Sequence, residues 1–198
     1  MITQLANLIA RKSLDKDIDA EDLEVVAYGY EILLQKVAVI LIELLIAIPF
    51  GLVAPVLLAD ISYSFLRQYS GGLHAKSRTV CMITSVFVIF GVSFIASRGG
   101  MHVPFVVLPV LYVVNFALLW KYAPADTEQQ PIDEPARIKL LKKASLIVLA
   151  CYFAGAALLW NHFRAASVIL VAMPTIVSCF THPLAYKLYG CKKSLTQF

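Results

Sequence analysis

The sequence predicts an all-α membrane protein, a polytopic helical bundle with six membrane segments, the first two short and hairpin-like, preceded by amphipathic helices. Of the 198 residues, 60% are hydrophobic and only 15% are charged, and the mean hydropathy is +0.76. Water-soluble domains are about 45 to 50% apolar, and a chain of this length could not bury the excess in its own core. The third observation is a series of apolar stretches near the roughly 20 residues that cross a bilayer as a helix.

Residues 1–35 are expected to form an amphipathic N-terminal region. Apolar residues recur at helical spacing over 2–12, and again after Asp19, where Leu23, Val26 and Tyr30 share one stripe. Amphipathic helices of this kind lie at a membrane surface before the chain enters it. Seven acidic residues in this region leave no uninterrupted apolar core, so we expect no cleavable signal.

The first apolar stretch, 37–59, contains Pro49-Phe50-Gly51, and the others follow at 79–97, 101–120, 144–160 and 166–184. The interruption predicts a helical hairpin over 36–66 whose second limb runs through 52–66. A limb of about 15 residues is short for a full crossing, so a thinned bilayer, a buried position and a re-entrant hairpin stay open.

The basic residues predict the orientation of the segments. With the hairpin folded back, fifteen of the seventeen Lys and Arg lie on one side and only Arg98 and Arg164 on the other; with five crossings the division is six against eleven. Positive charge is retained in the cytoplasm. We therefore expect a multi-pass cell-membrane protein with both termini inside. A cytoplasmic loop would span 67–78, a four-helix transmembrane part 79–186 and a cytoplasmic tail 187–198.

The loop brings a histidine and a cysteine close in sequence. Gly71-Gly72 favours a bend, Ser77 is a plausible N-cap, and Cys81 then falls in the first turn or so of a helix whose positive end favours the thiolate. His74 in hydrogen-bond reach would act as its base. One continuous helix would separate the two by about 10.5 Å along its axis, so the dyad requires 71–77 to fold back. From the residues alone, a loop histidine and a small buried thiol are the open alternative.

The stretch Arg67 to Cys81, set between membrane segments, resembles the accessory gene regulator B (AgrB) family of membrane cysteine endopeptidases. The resemblance rests on Arg67, Gly72, His74-Ala75 and Cys81, with the length and order of segments. It implies that Cys81 is the nucleophile and His74 its base, while Arg67 and the glycines shape the site.

The same resemblance implies the substrate and the reaction. A small AgrD-like quorum-sensing propeptide would be cleaved at the cytoplasmic membrane surface through a thioester acyl-enzyme, leading to a cyclic thiolactone or lactone. It also implies a homodimer. The basic excess is too small to indicate nucleic acid, and the cysteines and histidines show no metal-site spacing, so we expect neither metal nor cofactor.

Two intramembrane acids, Glu43 and Asp60, support an alternative function. Ionisable groups in membrane segments are candidates for function, so the chain could be a non-enzymatic transporter or scaffold that uses them. They could also be neutral acids hydrogen-bonded inside the bundle. Cys179 and His182, three residues apart on a helix, form a rival cysteine–histidine pair.

Two further patterns have two interpretations each. Lys139, Lys142 and Lys143 belong to a basic run that either binds anionic lipid or attracts acidic parts of a substrate. Small residues over 150–157 permit close helix contact, within the bundle or between protomers.

Overall fold

The computed structural model describes residues 2–13, 19–73, 78–99, 102–126, 132 and 134–189. Its helices in chain order are α1 (Ile2–Ser13), α2 (Ala20–Phe50), α3 (Val53–Ser70), α4 (Arg78–Gly99), α5 (Val107–Tyr122), α6 (Pro135–Leu159), α7 (Arg164–Thr181) and α8 (Pro183–Tyr189). Within these residues, pairing of the β type is limited to one isolated bridge between Gly71 and Ala125. The all-α class is confirmed.

Four helices in the described ranges are long and apolar enough to cross a membrane, and they make this a multi-pass membrane protein. They cover Asp22–Phe50, Val80–Gly99, Pro135–Leu159 and Arg164–Thr181, and Val107–Tyr122 is a shorter apolar helix. The helix Val53–Ser70 carries the charged residues Asp60 and Arg67 and is not one of these four apolar helices. The count of six crossings therefore stays a prediction.

Residues 1–46 form one compact unit, which holds α1 and the first part of α2. Ala6 and Ala10 are buried on α1, whereas Leu5 and Leu8, from the predicted apolar stripe, are about half exposed. The Thr3 hydroxyl donates a hydrogen bond to Glu31 Oε1 at 2.9 Å, which joins α1 to α2.

The first membrane segment differs from its prediction, because α2 is continuous from Ala20 to Phe50. The change from polar to apolar composition near residue 36 indicated a surface helix followed by a short limb. Backbone hydrogen bonding in a helix is indifferent to that change, and no proline lies between residues 20 and 48. The predicted surface helix and the first limb are thus one helix of 31 residues.

The helix ends where Pro49-Phe50-Gly51 predicts a break. Gly51 has φ 68° and donates its N–H to Ile48 at 3.1 Å, while Leu52 donates to Ala47 at 3.0 Å. These two bonds are the Schellman arrangement, in which a left-handed glycine satisfies the last carbonyls of a helix. Ala47 and Leu52 are both buried, and α3 begins at the next residue.

Residues 47–198 form the second unit, with α7 at its centre against α3, α4, α5 and α6. Ile169, Met173 and Val177 of α7 are almost fully buried. On α6, Ala156 is buried and its carbonyl accepts the Ser167 hydroxyl at 2.6 Å. The small residues of α6 thus permit close contact inside the bundle on the face that carries Ala156, while Ala150 and Ala154 are exposed.

Ala156→Leu is expected to lower the stability of the protein by about 1–3 kcal/mol, because three extra carbons would enter a filled helix contact. Ala154→Leu adds the same atoms at an exposed position and should change stability by less than about 0.5 kcal/mol. Thermal unfolding midpoints in one detergent compare the two. Equal midpoints would contradict the packing role of Ala156.

Candidate functional site

Arg67 joins the end of α3 to the turn that follows it. Because α3 continues to Ser70, Arg67 is helical, whereas the prediction put it at the start of the loop. Its Nη1 donates to the Tyr63 hydroxyl and its Nη2 to the Leu73 carbonyl. Its Cζ also lies 5.4 Å from the Tyr63 ring centroid and 5.9 Å from that of Phe180. A planar guanidinium has several fixed donors, so one side chain fixes both the helix and the turn.

Gly71 and Gly72 form the predicted bend, with φ of 65° and 129°. The N–H of Gly72 donates to the Ala125 carbonyl at 2.9 Å, and the N–H of Ala125 donates to Ser70 at 2.8 Å. A Cβ on Gly71 would overlap the Ala125 carbonyl oxygen, and one on Gly72 would lie 3.4 Å from the Phe180 oxygen. Glycine is therefore required at 71 by both backbone angle and space.

Leu73, the residue before His74, is held by segments distant in sequence. Its N–H donates to the Phe180 carbonyl at 3.2 Å, and its buried side chain packs with Ala125 and Tyr186. The Tyr186 hydroxyl in turn donates to the Asp126 carbonyl at 3.1 Å. Sequence reasoning missed Ala125, Phe180 and Tyr186, since no local pattern signals a contact across 50 or more positions.

Cys81 lies in the first turn of α4, as predicted, and is a partly exposed free thiol. It lies within electrostatic range of the Tyr63 hydroxyl, which accepts a hydrogen bond from Arg67. The predicted base His74 and N-cap Ser77 lie outside the described residues, so the dyad stays a prediction. The described residues bring Cys81, Tyr63 and the anchored turn to one end of the bundle.

The structure gives Cys179 and His182, the rival cysteine–histidine pair, ordinary structural surroundings. His182 follows α7, where its Nδ1 accepts the Leu184 N–H at 3.2 Å and its ring lies 4.9 Å from that of Tyr122. Cys179 is exposed on the last turn of α7. The His182 side chain thus makes a hydrogen bond to the local backbone and an aromatic contact.

Both acids that were predicted to be intramembrane are buried, Glu43 with 1% and Asp60 with 3% of its surface exposed. The Ser64 hydroxyl donates a long hydrogen bond, 3.5 Å, to Asp60 Oδ1. For Asp60 this bond supports the interpretation as a hydrogen-bonded acid inside the bundle. Pairing between Glu43 and Asp60 stays a prediction.

The basic run belongs to a helix, since α6 begins at Pro135 and not near 144 as the apolar pattern indicated. Proline suits the first turn of a helix, and lysine and arginine are good helix formers. Lys139 and Lys143 are exposed. Lys142 is partly buried, with Nζ 5.4 Å from the Trp120 ring centroid.

Together, these features define a class: a polytopic helical membrane protein with a free thiol at a helix start, next to a glycine turn that an arginine fixes. The family model for accessory gene regulator B matches residues 2–182. The chain therefore belongs to the AgrB family, which is involved in accessory gene regulation and quorum sensing.

Individual relatives agree with this assignment. An AgrB-like protein 2 of Clostridium perfringens is 31% identical over 159 residues, which cover 77% of this chain and 74% of that protein. An AgrB-like protein of Listeria innocua is 34% identical over 189 residues, covering 93% and 88%. The protein FsrB of Enterococcus faecalis is 29% identical over 107 residues, covering 54% and 44%. No solved structure matches the chain.

Proposed function

We propose that this protein is a membrane-embedded cysteine endopeptidase that cleaves the C-terminal part of a small AgrD-like autoinducer propeptide. The observation that supports it best is the partly exposed free thiol of Cys81 in the first turn of α4, at the end of the bundle where the turn before His74 is anchored. Family membership supplies the quorum-sensing setting. Catalysis would occur at the cytoplasmic side, where the basic residues predict both termini.

The first half-reaction uses Cys81 and His74. The thiolate sulfur attacks a peptide carbonyl carbon, the carbon–nitrogen bond breaks, and His74 gives a proton to the departing amine. A thioester then links Cys81 to the N-terminal fragment.

In the second half-reaction, a cysteine of the same fragment displaces the enzyme thiol and closes a thiolactone; a serine would close a lactone. Exchange of one thioester for another conserves most of its energy. The main tasks of the protein are then to hold the two ends of the fragment together and to keep water away.

The anchored turn supports the fold-back that the dyad requires. Arg67 binds the carbonyl of Leu73, and Phe180 accepts its N–H, so both backbone groups of the residue before His74 are fixed. The positive φ angles of Gly71 and Gly72 direct the chain away from the axis of α3. Arg67 and the two glycines therefore act as positioning residues in this proposal.

The proposed partners are the propeptide, the lipid bilayer and a second copy of the chain. The exposed ammonium groups of Lys139 and Lys143 are available for acidic parts of the propeptide, and equally for anionic lipid headgroups. The homodimer is proposed from the family resemblance alone.

The decisive experiment follows the acyl-enzyme. Purified protein in lipid vesicles is mixed with the propeptide encoded by a neighbouring small open reading frame, and the reaction is stopped with acid. We expect mass spectrometry to find the N-terminal fragment on the peptide that contains Cys81, with a bond that hydroxylamine cleaves. Cys151→Ser, at an exposed thiol of α6, is the matched control and should leave the adduct unchanged. Cleavage with no adduct on Cys81 would disprove the mechanism.

Asp60→Asn tests the alternative of a transporter or scaffold. If Asp60 is a hydrogen-bonded structural acid, the amide keeps an acceptor for Ser64, and cleavage of the propeptide should be preserved. Cleavage rates are measured on variants whose helical content by circular dichroism matches the unchanged protein. A well-folded Asp60→Asn protein without activity would show that the acid has a functional role.

A further inference from the structure

A cavity of about 770 Å³ lies in the unit of residues 47–198, at the end of the bundle away from Cys81. It is lined by Ala54 and Pro55 at the start of α3, Ala96 near the end of α4, and Arg164 at the start of α7. Along α4, Cys81 and Ala96 are about 22 Å apart at 1.5 Å per residue. The volume is typical of sites that bind small molecules, and the proposed peptidase chemistry does not use this end.

Arg164 supplies the charge in this cavity. Its guanidinium carbon lies 3.7 Å from the centroid of the Trp160 ring, and its Nη2 donates to the Val103 carbonyl at 2.9 Å. Its Nε is buried without a hydrogen-bond partner among the described residues. The guanidinium therefore has one donor left for an acceptor from outside the chain, and charge-assisted bonds to anionic oxygens are the strongest it can form.

No acidic residue is among the described residues that line the cavity. The sequence contains no Asp or Glu from 61 to 125 or after 134, and the lining residues in the described part of the chain are apolar, aromatic, polar or basic. The remaining acids nearest in sequence to the lining are Glu43 and Asp60, and neither lines the cavity. Arg164 is partly exposed, so its guanidinium is open to an anionic group of another molecule that enters the cavity.

We propose that this cavity binds an anionic phospholipid, with the phosphate at Arg164 and the acyl chain along Leu58 and Ile169. A guanidinium matches the geometry of phosphate oxygens. The apolar side chains in the same lining suit an acyl chain, and Trp160 beside Arg164 is typical of the boundary between headgroups and hydrocarbon. A free phosphate shares only the first of these features.

The two tryptophans of the chain allow a direct test. Trp120, exposed on α5, is replaced by phenylalanine, so that Trp160 reports from the cavity. The protein is reconstituted in phosphatidylcholine vesicles with rising fractions of phosphatidylglycerol brominated on its acyl chains. We expect quenching of Trp160 that saturates at a low mole fraction, and a half-saturation point at least tenfold higher for Arg164→Gln. Arg98→Gln, the other basic side chain predicted on this side, is the matched control and should leave the curve unchanged.

A second variant keeps the proposal testable if Arg164→Gln fails to fold. Ala54→Phe fills the cavity from an exposed position, leaves the Arg164 contacts intact and should abolish saturable quenching. Glycerol phosphate in solution should compete weakly; full competition would mean that the site recognises the free headgroup and would overturn the lipid proposal. Equal quenching by brominated phosphatidylcholine, or saturation that appears only with the propeptide present, would also overturn it.

Discussion

Gly71→Ala is expected to reduce propeptide cleavage by about 100-fold, because small displacements of a catalytic group cost factors of this size. The backbone at Gly71 has φ 65°, and an added Cβ would overlap the Ala125 carbonyl oxygen. The variant must therefore move the turn away from Ala125, and with it Leu73 and the start of the His74 segment. The strain should also lower stability by about 1–3 kcal/mol.

Gly91→Ala is the matched control for this substitution. Gly91 lies inside α4 with no atom within 4 Å of an added Cβ, and alanine is the better helix former. This variant should retain cleavage and unfold at the same or a higher temperature. Full activity in Gly71→Ala, with unfolding unchanged, would mean that the turn does not position the site.

Cys81→Ala is expected to abolish cleavage, with a loss of about 10⁴-fold or more, because no other group replaces a missing nucleophile. The thiol is only partly buried, so removal of one sulfur should leave helical content and membrane insertion unchanged. Initial rates of propeptide cleavage at saturating substrate give the comparison.

Cys179→Ala removes the same atom from an exposed position on α7 and should retain full activity. His74→Ala should match Cys81→Ala if the histidine is the base. Cleavage by Cys81→Ala would show that Cys81 is not the nucleophile. Loss of cleavage in Cys179→Ala alone would assign that role to the rival pair.

Local chemistry explains which parts of the fold the sequence could predict. Gly51 ends a helix, and Gly71-Gly72 turns the chain, because each effect depends on a few adjacent backbone angles. The position of Cys81 in the first turn of α4 follows from the same kind of reasoning.

Helix boundaries were missed where polarity changes within one helix. The chain near residue 36 and the run 137–143 pass from charged to apolar composition without any residue that breaks a helix. Polarity indicates where a helix meets lipid or water, whereas backbone hydrogen bonds decide where it begins and ends.

The partners of the turn were beyond prediction for a different reason. Arg67 was identified as a residue that shapes the site, but its acceptor on Leu73 depends on a loop geometry that distant residues impose. Ala125 and Phe180 act through backbone atoms, which any residue type possesses, so their identities carry no signal. Only the folded bundle reveals that they meet Gly72 and Leu73.

The sequence positions of the residues that hold the turn determine when, during synthesis, the site can form. The turn that leads to His74 rests on Ala125, Phe180 and Tyr186, all of which leave the ribosome after Cys81. The last of them, Tyr186, lies 105 positions after Cys81 in the sequence. A chain still being made, or one cut short before α8, therefore contains its thiol but lacks the complete support for the turn beside it. The support for the turn beside the thiol is thus complete only after α7 and α8 have been made and packed.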